Sequence, residues 1–207
     1  MSSSVAQSQR LTRKGKATRD RIVGAASQLV SERGVAATSI EDVKDAAGVS
    51  SSQLYHYFAD KHALVRAVIA FQTEAVLDAQ QPHLGELDSI EALRAWGDHV
   101  VSIQRGLAFQ GGCPIGSLAG ELSEVDPDAR ADLADGFERW EGAIRVGLRA
   151  MHERGDLAAD ADPDKLALAL LAAVQGGLLL TQVRREPAPL RAALDTVLDR
   201  IESLARR

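Results

Sequence analysis

Cysteine is almost absent from this sequence: Cys113 is the only one in 207 residues. A single thiol excludes an internal disulfide and any zinc site built from several cysteines, and it suits a reducing compartment. Aromatic residues are scarce too, at 4%. Long apolar runs are missing. The richest stretch, Leu166 to Leu180, is interrupted by Gln175, Gly176 and Gly177 and falls short of the roughly 18 apolar residues of a membrane span. The first residues are polar and basic without an apolar segment, so no secretory leader is predicted. Prolines number six and β-branched runs are few, which leaves little material for a sheet.

What is present is helical. The chain is 45% hydrophobic and rich in Ala and Leu, enough for one large or two small all-α domains. Net charge is −5, which taken alone argues against a nucleic-acid partner. Its distribution argues for one. Residues 1–66 hold ten Lys/Arg against six Asp/Glu, and the remainder holds 14 against 23. A basic head on an acidic body is the footprint of a DNA-binding module joined to a domain with another task.

The head is organised around residues 38–61, TSIEDVKDAAGVSSSQLYHYFADK. Thr38 and Glu41 have capping-box spacing. Ile40, Val43 and Ala47 form one apolar face, and Gly48 provides a helix stop. Ser50 and Gln53 form a second box that opens a second helix, with Leu54 and Phe58 inward and Ser51, Ser52, Tyr55, His56 and Tyr57 outward. Asp60 caps a third helix from Lys61. Helix, glycine turn, helix is the spacing of a helix-turn-helix, whose second helix enters the major groove.

These residues resemble the DNA-binding domain of the tetracycline-repressor (TetR) family of bacterial transcriptional regulators. The similarity lies in GVAATSIEDVKDAAGVS and SQLYHYFADKHAL, with LYHYF and the following Lys61 as its most specific part. It implies an all-helical homodimer with an N-terminal helix-turn-helix and a C-terminal domain that dimerises and binds a small molecule. The expected divisions are a flexible basic arm over 1–17, the DNA-binding domain over 18–62, its first helix capped by Thr18, and the effector and dimerisation domain over 63–207. By position, the resemblance assigns phosphate contacts to Thr38, Ser39, Ser50, Tyr55, His56, Tyr57 and Lys61. It assigns base contacts to Ser51, Ser52 and Gln53. Gln53 stands out because an amide can pair with adenine N6 and N7.

In the body, Ser89, Pro114, Asp126-Pro127, Asp162-Pro163 and Pro187 to Pro189 mark successive helix starts. The segment GCPIGSLAGEL, residues 112–122, resembles the LmrA/YxaF-like branch of the family, whose effectors are hydrophobic and often aromatic. Trp96, Phe109, Cys113, Phe137, Trp140 and Met151 are the candidate effector contacts, with ordinary core packing as the alternative. The last two helices carry Leu166, Leu170, Val174, Gly177, Leu178 and Thr181, then Leu190, Leu194, Val197 and Ile201. A helix apolar almost all round must be covered on both sides, so these ten are the expected dimer interface, as two helices per subunit in a four-helix bundle.

The expected partners are double-stranded operator DNA, a small apolar effector and a second copy of the chain, in the cytoplasm, with no membrane, metal or cofactor. A DNA-binding regulator without a small effector is the alternative. A helical-bundle enzyme is the remote one, since no nucleophile stands beside a base at helical spacing.

Overall fold

The computed structural model describes residues 12–206 and is helical throughout, with no named strand among the described residues. It divides after Val68 into two compact units.

The N-terminal unit contains α1 (Arg13–Arg33), α2 (Ile40–Ala47), α3 (Ser51–Tyr57) and the start of α4 (Lys61–Asp78). Helix α1 begins five residues before the expected Thr18. Its cap is Thr12, whose hydroxyl accepts from Gly15 N at 3.1 Å, while Thr18 donates to Lys14 O from within the helix. Arg13, Lys14 and Lys16 therefore ride on a helix and do not belong to a flexible arm. Residues 1–11 of that arm, Arg10 included, lie outside the described residues. Ile22, Val23, Ala26 and Val30 bury the inner face of α1.

Helix α2 is capped by Ser39 with Asp42, one residue later than the Thr38–Glu41 pair. The two boxes overlap, and burial decides between them. Thr38 is enclosed and donates to Gly34 O at 2.8 Å. Ser39 is extended and exposed, and its N–H reaches the Asp42 carboxylate at 2.9 Å. Gly48 ends α2 in the left-handed conformation, φ 60° and ψ 44°, which Gly adopts without a Cβ penalty. Ser50 and Gln53 close the box at the start of α3, and Asp60 caps α4 by accepting from Ala63 N at 2.8 Å.

The C-terminal unit holds the rest of α4, then α5 (Ile90–Gly106), α6 (Pro114–Leu122), α7 (Pro127–Glu153), α8 (Pro163–Arg184) and α9 (Ala188–Ser203). Ser89, Asp126 and Asp162 cap their helices through side-chain oxygens. Helix α4 stops at Asp78, and a 3₁₀ turn over His83–Gly85 follows. Gly147 on α7 lets the chain at Leu87 cross it, since a Cβ there would lie 2.0 Å from Leu87 O.

Helices α8 and α9 pack on each other within the protomer. A Cβ on Gly177 would stand 2.8 Å from Leu190 Cα, so this glycine serves an intramolecular approach. Here the expected interface needs correcting. Leu166, Leu170, Val174, Gly177, Leu178, Thr181, Leu190, Leu194 and Ile201 are buried inside one chain, and Val197 is half-buried. The outward stripe of α8 is instead Leu168, Leu179, Leu180 and Val183, from 48 to 73% exposed. By length and composition alone α8 could cross a membrane, but its inner stripe belongs to this helical core.

Candidate functional site

Helix α3 presents the polar surface of the N-terminal unit. Seven residues long, it is held by the Ser50–Gln53 box at one end and by buried Leu54 and Phe58 at the other. That anchoring leaves Ser50, Ser51, Ser52, Gln53, Tyr55 and His56 exposed and Tyr57 half-buried, with Ser39 exposed at the start of α2. The His56 and Tyr57 rings meet edge to face, centroids 4.9 Å apart. The hydroxyls and the amide stand at the N-terminus of α3, where N–H groups and the helix dipole favour anions, and the imidazole and phenols occupy its last turn.

Two of the ten expected DNA contacts sit differently. The Thr38 hydroxyl is buried against Gly34 O. The Lys61 ammonium donates to Val35 O at 2.7 Å, in a partly buried bond across 26 residues of sequence. Both close the segment between α1 and α2. Two arginines of α1 take part in the packing of this unit. Arg21 Nε donates to Ala47 O at 2.9 Å, at the C-terminus of α2, and the Arg19 guanidinium lies 5.3 Å from the Phe58 ring centroid. The first is a cation on the last carbonyls of α2, and the second is a cation over an aromatic face at the end of α3.

The Gln53 amide has a defined orientation. Its Oε1 accepts from Ser50 N at 3.0 Å and from Ser50 Oγ at 3.3 Å. A backbone N–H can only donate, so oxygen must face it, and Nε2 remains with two N–H donors on an exposed side chain.

In the C-terminal unit the six expected effector contacts have separate environments. Trp96 is fully buried, and its Nε1 donates to Gln80 Oε1 at 3.0 Å. Trp140 is equally enclosed, yet its Nε1 has no partner. Thr73 Oγ1, Gln104 Oε1 and Gln175 Nε2 are also buried without partners. None of these three was expected from sequence, because an unpaired polar atom leaves no periodic signature. Cys113 is buried at the start of α6, and that burial pushes its thiol pKa up, against an opposing hydrogen bond from the Gly116 backbone. It is a packed thiol and not a reactive thiolate. Phe109 and Phe137 are half-buried. Phe109 has φ 57°, and its carbonyl accepts from Arg185 at 3.0 Å. Met151 lines an open groove with Ser89, Asp156, Asp199 and Glu202.

This architecture, a capped helix-turn-helix unit followed by a larger helical unit, defines a class: the DNA-binding transcriptional regulators. Comparison with known proteins specifies it. Residues 22–68 match the family described as bacterial regulatory proteins, tetR family, and residues 89–197 match the tetracyclin repressor-like C-terminal domain. The chain is 29% identical over 183 residues to the HTH-type transcriptional repressor DhaR of Mycobacterium sp. (strain GP1), covering 87% of this chain and 90% of DhaR. It is 25% identical over 175 residues to the HTH-type transcriptional regulator YxaF of Bacillus subtilis (strain 168), covering 84% and 89%. A TetR transcriptional regulator of Chloroflexus aurantiacus, solved as a crystal structure, superposes with a TM-score of 0.80 at 27% identity, covering 94% of this chain and 99% of that one. The protein belongs to the TetR family of bacterial transcriptional regulators. The families and relatives it matches are regulators and not enzymes.

Proposed function

We propose that this protein is a cytoplasmic, homodimeric repressor that leaves a pseudo-palindromic operator when its C-terminal unit takes up a small, mainly apolar molecule. The observation that carries the two-fold reading is the outward stripe of α8. Leu168, Leu179, Leu180 and Val183 stay open after α8 has packed on α9. A second α8 with the same stripe is its self-complementary cover. Two α3 helices, one per protomer, would then meet half-sites about 34–36 Å apart or a multiple of that spacing. The serines, Tyr55, His56 and Tyr57 would position the phosphates, and Gln53 would read a base edge.

Release calls for a connection between the effector and α3. Helix α4 is continuous from Lys61, with Leu64 and Val68 buried at its start, to Glu74, which forms a two-point ion pair with Arg139 of α7 at 2.7 and 2.9 Å. A continuous helix anchored at both ends suits a lever. An effector that binds the DNA-free arrangement more tightly shifts the population by that difference, and operator DNA must weaken effector binding by the same factor.

The test combines sedimentation with operator binding. Leu179→Glu and Val183→Glu should yield folded monomers that bind operator weakly. Leu178→Glu and Leu194→Glu should unfold the C-terminal unit. If the outward variants remain dimeric, the interface lies on another face.

A further inference from the structure

Some buried polar side chains in the C-terminal unit have partners that belong to the fold. Gln80 accepts from Trp96, and Thr181 accepts from Leu190 N at 3.1 Å. Thr73 on α4 and Trp140 on α7 do not follow this pattern. Each is 2% exposed, and neither Thr73 Oγ1 nor Trp140 Nε1 has a hydrogen-bond partner among the described residues. Leaving a buried donor unpaired costs free energy, so such groups call for an explanation.

Gly136 marks the level at which α7 meets Thr73 of α4. It meets α4 so closely that a Cβ there would lie 2.8 Å from Thr73 Oγ1. Trp140 stands one turn further along the same face of α7. Long side chains on a helix lean toward its N-terminus, over the preceding turn, which directs the indole toward Gly136 and the Thr73 side chain packed on it. The Glu74–Arg139 pair, next to both residues in sequence, ties the two helices at this level.

We propose that Thr73 and Trp140 form a polar subsite that takes the neutral carbonyl oxygen of an otherwise apolar effector: a ketone, aldehyde or ester. A carbonyl oxygen has two lone pairs, one for the indole N–H and one for the threonine O–H. A carboxylate fits less well. Arg139 is already held by Glu74, so the buried negative charge would lack a counter-ion. A hydrocarbon of the same shape leaves both groups unpaired. Because Thr73 lies on α4, the bound oxygen acts directly on the helix that begins at Lys61. This assignment rests on the effector reading above.

The test uses the full-length protein with acetophenone and ethylbenzene, which share a ring and differ at the carbonyl. Binding is followed by calorimetry, and release of operator by anisotropy. Acetophenone should bind about tenfold more tightly, the value of one hydrogen bond to an otherwise unpaired buried donor. The Trp140→Phe/Thr73→Val double variant should bring the two ligands within about twofold of each other, still binding ethylbenzene and operator. Equal affinities in the wild type overturn the subsite and leave the effector reading standing. Failure of both compounds to bind overturns the apolar-effector reading and the subsite with it. A measurement without ligand gives a second check. Thr73→Val should leave the thermal midpoint unchanged or raise it, because an unpaired hydroxyl gives way to a methyl group. A clear fall would show that the fold itself uses the hydroxyl, and would overturn the proposal.

Discussion

Gln53 should read guanine and not adenine. A free glutamine side chain pairs with adenine by accepting from N6 and donating to N7, which requires both ends of its amide. Here the oxygen is held by Ser50 N and Ser50 Oγ at 3.0 and 3.3 Å, so only Nε2 is available. Its two N–H groups match guanine, which offers O6 and N7 as paired acceptors. Adenine would gain one bond, or would gain two only by opening the box. Opening it forfeits a helix cap worth about 1 kcal/mol. A bidentate pair discriminates by about 1–3 kcal/mol, so the capped amide should favour G·C over A·T at its position by roughly 1–2 kcal/mol. The assay is fluorescence anisotropy on operator duplexes varied one base pair at a time. Gln53→Ala should flatten preference at a single position. Replacing the contacted guanine by 7-deazaguanine, which keeps O6 and lacks the N7 acceptor, should reproduce part of that loss in the wild type and have no further effect on the variant. Gln53→Glu keeps the box and removes the donors, so it should lose guanine and gain relative affinity for cytosine, whose N4 donates. If the wild type prefers adenine where Gln53→Ala loses preference, the amide leaves its cap on binding and the reasoning fails. Equal losses on specific and random DNA would make Gln53 a backbone contact.

Lys61→Ala should lower stability by about 1 kcal/mol, read as a fall in the thermal midpoint, because its ammonium bonds Val35 O inside the unit. A phosphate-only role would leave the midpoint unchanged and alter only the salt dependence of DNA binding. Gly147→Ala should cost about 3 kcal/mol, at the upper end for overpacking, because the new Cβ meets the Leu87 backbone at 2.0 Å. On the same helix Gly142→Ala meets nothing within 4 Å and should stabilise by about 1 kcal/mol, so chemical denaturation of the pair separates contact from propensity. The Asp42 carboxyl is held below its ordinary pKa of 3.8, first by the Ser39 hydroxyl and then by the Ser39 backbone. A lowered carboxyl stabilises the fold above its unfolded pKa, and that contribution fades as pH falls through the folded value. Acid melts of wild type and Asp42→Asn should therefore differ at neutral pH and draw together as the pH falls below 3.8 and through the lowered folded value. A difference that persists in acid would locate the effect outside the carboxylate.

The sequence by itself determined the helices and most of their ends. Ser50–Gln53, Asp60, Ser89, Asp126 and Asp162 are caps whose partners lie within three residues, and the stripes of α1 and α7 are periodicities within one helix. Such features are local, so reading along the chain finds them. The same holds for the outward face of α3, because Leu54 and Phe58 leave its polar residues one side on which to stand. Tertiary structure decided whatever depends on a partner far along the chain. Thr38 and Ser39 are equivalent as candidate caps until Thr38 is buried beside Gly34. Lys61 looks like a free cation until it meets Val35, and the two tryptophans look alike until Gln80 pairs with one of them. The stripes of α8 carry the same ambiguity. An apolar residue specifies that water must leave, but not whether its cover comes from the same chain or from a second one. Packing against α9 assigned Leu178 and Leu194 to the protomer and left Leu179 and Val183 outside.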